Sequence, residues 1–147
     1  MQLGQVLAHA VSTLFLTGLI WTIQVLHYPL FAEVGSERFV TYEAAHSARI
    51  TVLIAVPWAV QGLTTLWLLI APPPTVSTSL VWLAGLLAAI PVLVTLVWSV
   101  PAHGVLSEGF DPTAHARLVT TNWLRTAAWS LHAVVASTIL VLTLRGR

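Results

Sequence analysis

Residues 50–107 read ITVLIAVPWAVQGLTTLWLLIAPPPTVSTSLVWLAGLLAAIPVLVTLVWSVPAHGVLS, a run without a single Asp, Glu, Lys or Arg. A membrane crossing takes about 20 apolar residues, so this run holds two crossings and a turn between them. The turn is PPPTVSTS (72–79), whose three consecutive prolines cannot continue a helix. The rest of the 147-residue chain agrees with this reading. It is 57% hydrophobic and 7% charged, and it contains no lysine. Eleven charged side chains (six Arg, five Asp or Glu) are too few to cover a soluble domain of this size. The fold class expected is therefore all-α, a polytopic membrane protein.

Working outward, helix breakers divide the chain into four segments, at about 3–31, 37–71, 80–100 and 112–144. The first apolar run lacks a basic leader and carries Gln24, His27 and Tyr28 near its end, so it reads as a retained helix and not a signal peptide. Gly35 supplies a turn, and Ser36 is the expected N-cap of the second segment. PAHGVLSEGFDP (101–112) is expected to break the third segment at Pro101. Asp111 as N-cap and Pro112 at the first helical position start the fourth. These runs are too long for the strands of a barrel, which leaves an up-down-up-down four-helix bundle as one transmembrane domain.

Four crossings place both termini on one side and the connections around 32–46 and 101–115 on the other, here called the loop side. Arg145 and Arg147 on the terminal side against Arg38, Arg49 and Arg117 on the loop side do not separate the two orientations. An internal echo joins AAHSARI (44–50) to TAHARLV (113–119), each following a proline-broken helix end at Pro29 or Pro101. Two hairpins related by an axis along the membrane normal would produce it.

Polar residues gather in stripes. On the fourth helix, His115, Asn122, Arg125, Trp129 and His132 share one face. His9, Thr13, Thr17, Trp21, Gln24 and Tyr28 do so on the first. Glu43, His46, Pro57, Gln61 and Thr64 do so on the second, and Pro91, Thr95 and Trp98 run toward His103 on the third. Facing stripes build a polar, aromatic-rich axis expected to open toward the loop side, where Gln24, His27, His46, Trp98, His103, Asn122 and Arg125 reach a common depth. An arginine near a helix end ordinarily snorkels to headgroups, the role expected of Arg49 and Arg117. The stripe shared with Asn122 and His132 instead turns Arg125 inward, toward Glu43, Asp111 or a ligand. His9 and His132 read as structural, the latter bonded to Gln61 or a threonine.

The loop-side histidines admit a metal reading. Glu43 and His46 stand at i, i+3, the spacing by which ferritin-like bundles present a carboxylate and an imidazole to one ion, with His115 as a third ligand. Only one copy of that motif is present, which argues against a di-iron centre. It leaves a mononuclear copper, zinc or iron site, a bis-histidine haem between His27 and His103, or no cofactor at all. The chain has no cysteine, so thiolate sites and thioether-linked haem are excluded. No basic face for nucleic acid is present.

NWLRTAAW (122–129), with HYPLF (27–31) and HGVLSEGFD (103–111), resembles small four-helix bacterial membrane proteins of unknown function, which are similar in turn to the anthrone-oxygenase-like family. The resemblance covers the chain's topology, and its motif is an Asn-x-x-Arg with nearby Trp. It implies a bacterial cell-membrane location and oxidation of an acidic C–H in a lipophilic aromatic by O₂, without an obvious cofactor. On that reading His103, or else His46 or His27, is the base. Arg125 with Asn122 holds the oxyanion, and Trp21, Trp98 and Trp129, with Gln24 alongside, wall the substrate site. The alternative is a non-catalytic small subunit of a larger membrane complex, or a His-ligated metal or haem carrier. Lipids, a small lipophilic ligand and further protein chains are the partners expected.

Overall fold

The computed structural model describes residues 2–146; Arg147, counted above with the terminal-side charges, lies outside them. Four helices are long and apolar enough to cross a membrane: α1 (Gln2–Glu33), α2 (Ser36–Ile70), α3 (Thr78–Leu106) and α4 (Pro112–Arg145). They form an antiparallel bundle in which α4 packs along both α1 and α3, and α1 also packs along α2. The α2–α3 seam is the least closed. At 29 to 35 residues, each helix exceeds the length of one crossing. The second helix starts where the sequence placed it, at residues 36–37, while the connection after α3 is shorter than expected because the helix runs on to Leu106.

Two local rules differ from expectation. The residue before α2 is Gly35 at φ +79°, a conformation only glycine adopts without strain, and Ser36 is already helical and caps nothing. The third helix does not stop at Val100. Residues Thr95–Ser99 form a π-turn closed by the Val100 amide on the Thr95 carbonyl, and the helix resumes through Pro101 to Leu106. The widened turn shifts the hydrogen-bond register just where Pro101 has no N–H to give. The first helix repeats the device: a π-turn over Ile23–His27, closed by Tyr28 N on Ile23 O at 2.9 Å, directly precedes Pro29. Asp111 caps α4 as expected, accepting from the Ala114 amide at 2.6 Å, and Ser77 caps α3.

The core is built in two apolar clusters. Leu16, Ile20, Phe31, Phe39, Leu106 and Leu118 fill the loop-side half, while Val6, Leu68, Ala84, Val135 and Ile139 fill the terminal side. The loop-side end is plugged, not open: Phe31 meets Phe39 edge-on at 6.0 Å and Phe39 meets Phe110 at 5.0 Å. The expected axial mouth is therefore absent among the described residues, because these rings, burying more area than any aliphatic side chain, fill the space between the two connections.

Polar residues run between the helices. Gln61 accepts from Trp129 Nε1 at 3.1 Å and donates to Thr13 at 3.0 Å, with His132 Nδ1 at 3.4 Å. His132 Nε2 lies 3.2 Å from His9 Nε2, and His9 Nδ1 lies 3.0 Å from Thr64. Both histidines thus have the structural surroundings expected of them, satisfied by polar groups on neighbouring helices.

Candidate functional site

Beside this network lies a cavity of about 280 Å³, walled by all four helices. Ile23 and Tyr28 come from α1, Ser47, Ile54 and Trp58 from α2, Thr95, Ser99 and His103 from α3, and Arg125 and Trp129 from α4. Apolar atoms dominate the lining, with a few polar groups converging at its loop-side end. Its exposed members, Thr51 and Val100, sit on α2 and α3, so the cavity opens sideways across their seam. The two π-turns contribute Ile23, Thr95 and Ser99, so the local widening of both helices borders the cavity.

Arg125 is inward, and only 8% exposed. Its Nη1 donates to Thr95 Oγ1 at 3.1 Å and to Ser99 Oγ at 3.0 Å, while its Nε has no partner. The guanidinium carbon lies 5.9 Å from the Trp129 ring centre, a cation–π contact. Neither expected carboxylate reaches it: Asp111 is spent on its helix cap, and Glu43 belongs to His103. His103 Nδ1 lies 2.6 Å from Glu43 Oε1, the one ion-pair contact among the described residues. That bond leaves His103 Nε2 facing Tyr28 Oη at 3.2 Å on the cavity wall. A guanidinium buried with neutral partners only is a costly arrangement that an anionic ligand oxygen would relieve.

The remaining expected residues fall into three groups. Asn122 is fully buried but does not line the cavity; it donates to Gln24 Oε1 at 2.8 Å, and Gln24 donates to the Val119 carbonyl at 3.3 Å. This pair ties α4 to α1 one turn from Arg125, and neither side chain lines the cavity. Of the three tryptophans, only Trp129 walls the cavity. Trp21 is 44% exposed, donates to Ser130 and meets Trp123 edge-on, because the 9-13-17-21 spacing of four drifts off the buried face that Thr13, Leu16 and Ile20 keep. Trp98 is half-buried and outside the lining. His27 Nε2 lies 2.7 Å from His46 Nδ1, and both line a shallow groove with Tyr42 and Arg49 on the outer, loop-side surface.

The expected metal set does not assemble. His115 bonds the Tyr28 carbonyl through Nε2 at 2.7 Å and stacks on Phe31, away from Glu43 and His46. Among the described residues no group of three or more His, Asp or Glu side chains is arranged to hold a metal ion. The i, i+3 spacing does set Glu43 and His46 on one face, but the face meets a histidine hydrogen-bond cluster.

No family model, curated protein or solved structure matches the chain. The site's chemistry is therefore argued from its own groups. Sequence reasoning missed Trp58, which meets Trp129 edge-on at 5.7 Å, and Ser99 as a partner of Arg125. Trp58 stands at i+4 from Ile54, and Ser99 at i+4 from Thr95, so both follow from helical spacing once those faces are known to be inward.

Proposed function

We propose that this membrane protein binds a lipophilic aromatic molecule carrying an acidic C–H or O–H and oxidises it with O₂. One observation carries the proposal: Arg125, without a carboxylate partner, and His103, backed by Glu43, face the same largely apolar cavity. At about 280 Å³ the cavity lies just below the roughly 300–1,000 Å³ range of small-molecule sites, which suits a small ligand. Its lateral opening suits a substrate dissolved in the bilayer.

The roles follow from the bonds already made. Glu43 holds His103 Nδ1 and so orients the ring with Nε2 toward the cavity, where Nε2 takes the substrate proton, either directly or through the Tyr28 hydroxyl. Arg125, held by Thr95 and Ser99, receives the negative charge that develops on the substrate oxygen. Trp58 and Trp129 offer faces to a flat ring. The electron-rich enolate then reacts with O₂, and a CH₂ leaves as C=O with release of water, so that one O₂ is consumed per substrate.

The test uses the purified protein in lipid nanodiscs. Oxygen uptake is followed with anthrones and lipophilic phenols, alongside binding of each phenol and its O-methyl ether. Expected are uptake that depends on His103 and Arg125, and at least tenfold weaker binding of the ether. Equal binding of phenol and ether, with no uptake, would overturn the proposal.

A further inference from the structure

His103 is served by a second set of groups that the proposed chemistry does not use. Glu43 is 1% exposed, and while its Oε1 holds His103, its Oε2 has no partner. One helical turn on, His46 is buried and its Nε2 has no partner either. Positions i and i+3 bring such side chains to within about 5–6 Å at Cβ, on one face. His46 Nδ1 then meets His27 Nε2 at 2.7 Å, and half-buried His27 borders the outer groove with Tyr42 and Arg49.

A base inside a membrane has a disposal problem. With a lipophilic molecule in the cavity and lipid at the lateral opening, the proton taken by His103 has no aqueous exit by the way the substrate came. Direct transfer to His46 is blocked by geometry. The two rings lie stacked, 5.3 Å apart and 28° from parallel, and ring N–H bonds point in the ring plane, not through its face. The route in the ring planes runs through Glu43.

We infer that Glu43, His46 and His27 form a proton relay from His103 to the loop-side groove. The inference rests on the proposed role of His103 as the base. His103 gains a proton on Nε2 and passes the one on Nδ1 to Glu43. The carboxyl then delivers its proton to His46 Nε2 across one water, since the two atoms do not bond directly. His46 gives its Nδ1 proton to His27 Nε2, and His27 releases one from Nδ1 at the groove. One proton reaches the groove when the substrate is deprotonated, and one returns along the same bonds when the peroxide oxygen leaves as water, which resets each ring's tautomer and leaves no net proton released. Other titratable groups facing the relay are Tyr28 on His103, Tyr42 beside His27, and His115 held on the Tyr28 carbonyl. His27 and His46 are thus relay residues, and neither touches substrate.

The experiment reads proton exchange in the ligand-free protein and so needs no substrate. Full-length protein with ¹⁵N-labelled histidine is placed in nanodiscs, and exchange of the His103 ring N–H with water is measured by NMR. His46→Phe is expected to slow it at least tenfold, with the His103 chemical shifts unchanged. His27→Ala, at the outer link, is expected to slow it likewise, and added imidazole should restore the rate by filling the groove. Imidazole should have no effect on the wild type. Unchanged exchange in a folded His27→Ala protein, or slowing that imidazole does not rescue, would overturn the relay. A wild type that shows the relay yet discriminates no phenol from its ether would overturn the functional reading alone.

Discussion

Glu43 on α2 and His103 on α3 are joined by a 2.6 Å contact across the helix seam at which the cavity opens. The bond fixes which imidazole nitrogen faces inward. With Glu43 on His103 and Asp111 on its helix cap, Arg125 has no carboxylate partner, so a base and an unpaired cation share one cavity.

Replacing Glu43 by Gln keeps the shape and removes the charge. Turnover of any substrate processed through His103 is expected to fall by about 10²–10⁴-fold, the usual worth of acid–base assistance. Affinity for the phenol should change by less than threefold. Stopped-flow oxygen uptake and equilibrium binding on the same preparation separate the two.

Arg125→Met removes a buried cation that has no carboxylate partner. Thermal stability in detergent is expected to hold or rise, because the desolvation cost disappears and no buried acid is stranded. Binding of an ionised phenol should weaken at least tenfold. A drop in melting temperature with unchanged affinity would show that the arginine serves the fold.

Tryptophan fluorescence locates the ligand. Quenching by a bound aromatic is expected to fall in Trp58→Phe and Trp129→Phe, whose rings wall the cavity. It should persist in Trp21→Phe and Trp98→Phe, which lie outside it. Equal quenching across the four variants would place the ligand elsewhere.

Gln61 is 1% exposed and bonded to Trp129, Thr13 and His132. Gln61→Leu leaves the Trp129 N–H and the Thr13 and His132 acceptors without this partner, and an orphaned buried polar group costs about 1–3 kcal/mol. Unfolding in mixed micelles should show a loss of at least that order. A loss of less than half a kcal/mol would show that the network relaxes onto other partners.

Much of this molecule was legible in its residues one at a time. The uncharged run over 50–107 and the prolines at 72–74 determine four membrane-spanning helices, because the cost of putting charge or broken backbone into lipid exceeds any packing preference. Helical spacing likewise placed Arg125, Trp129 and His132 on one inward face. Two π-turns, which no residue pattern announced, broke that arithmetic: each adds a residue to a turn ahead of a proline, so α1 runs on through Pro29 and α3 passes through Pro101. Partner choice was equally hidden. Arg125, His103 and His115 each had several acceptors at the right depth, and which one each meets depends on distances of a few ångströms between helices far apart in the chain. Composition and periodicity set depth and face. Only the packed bundle decides that Glu43 goes to His103, that Asn122 goes to Gln24, and that Arg125 is left facing a cavity.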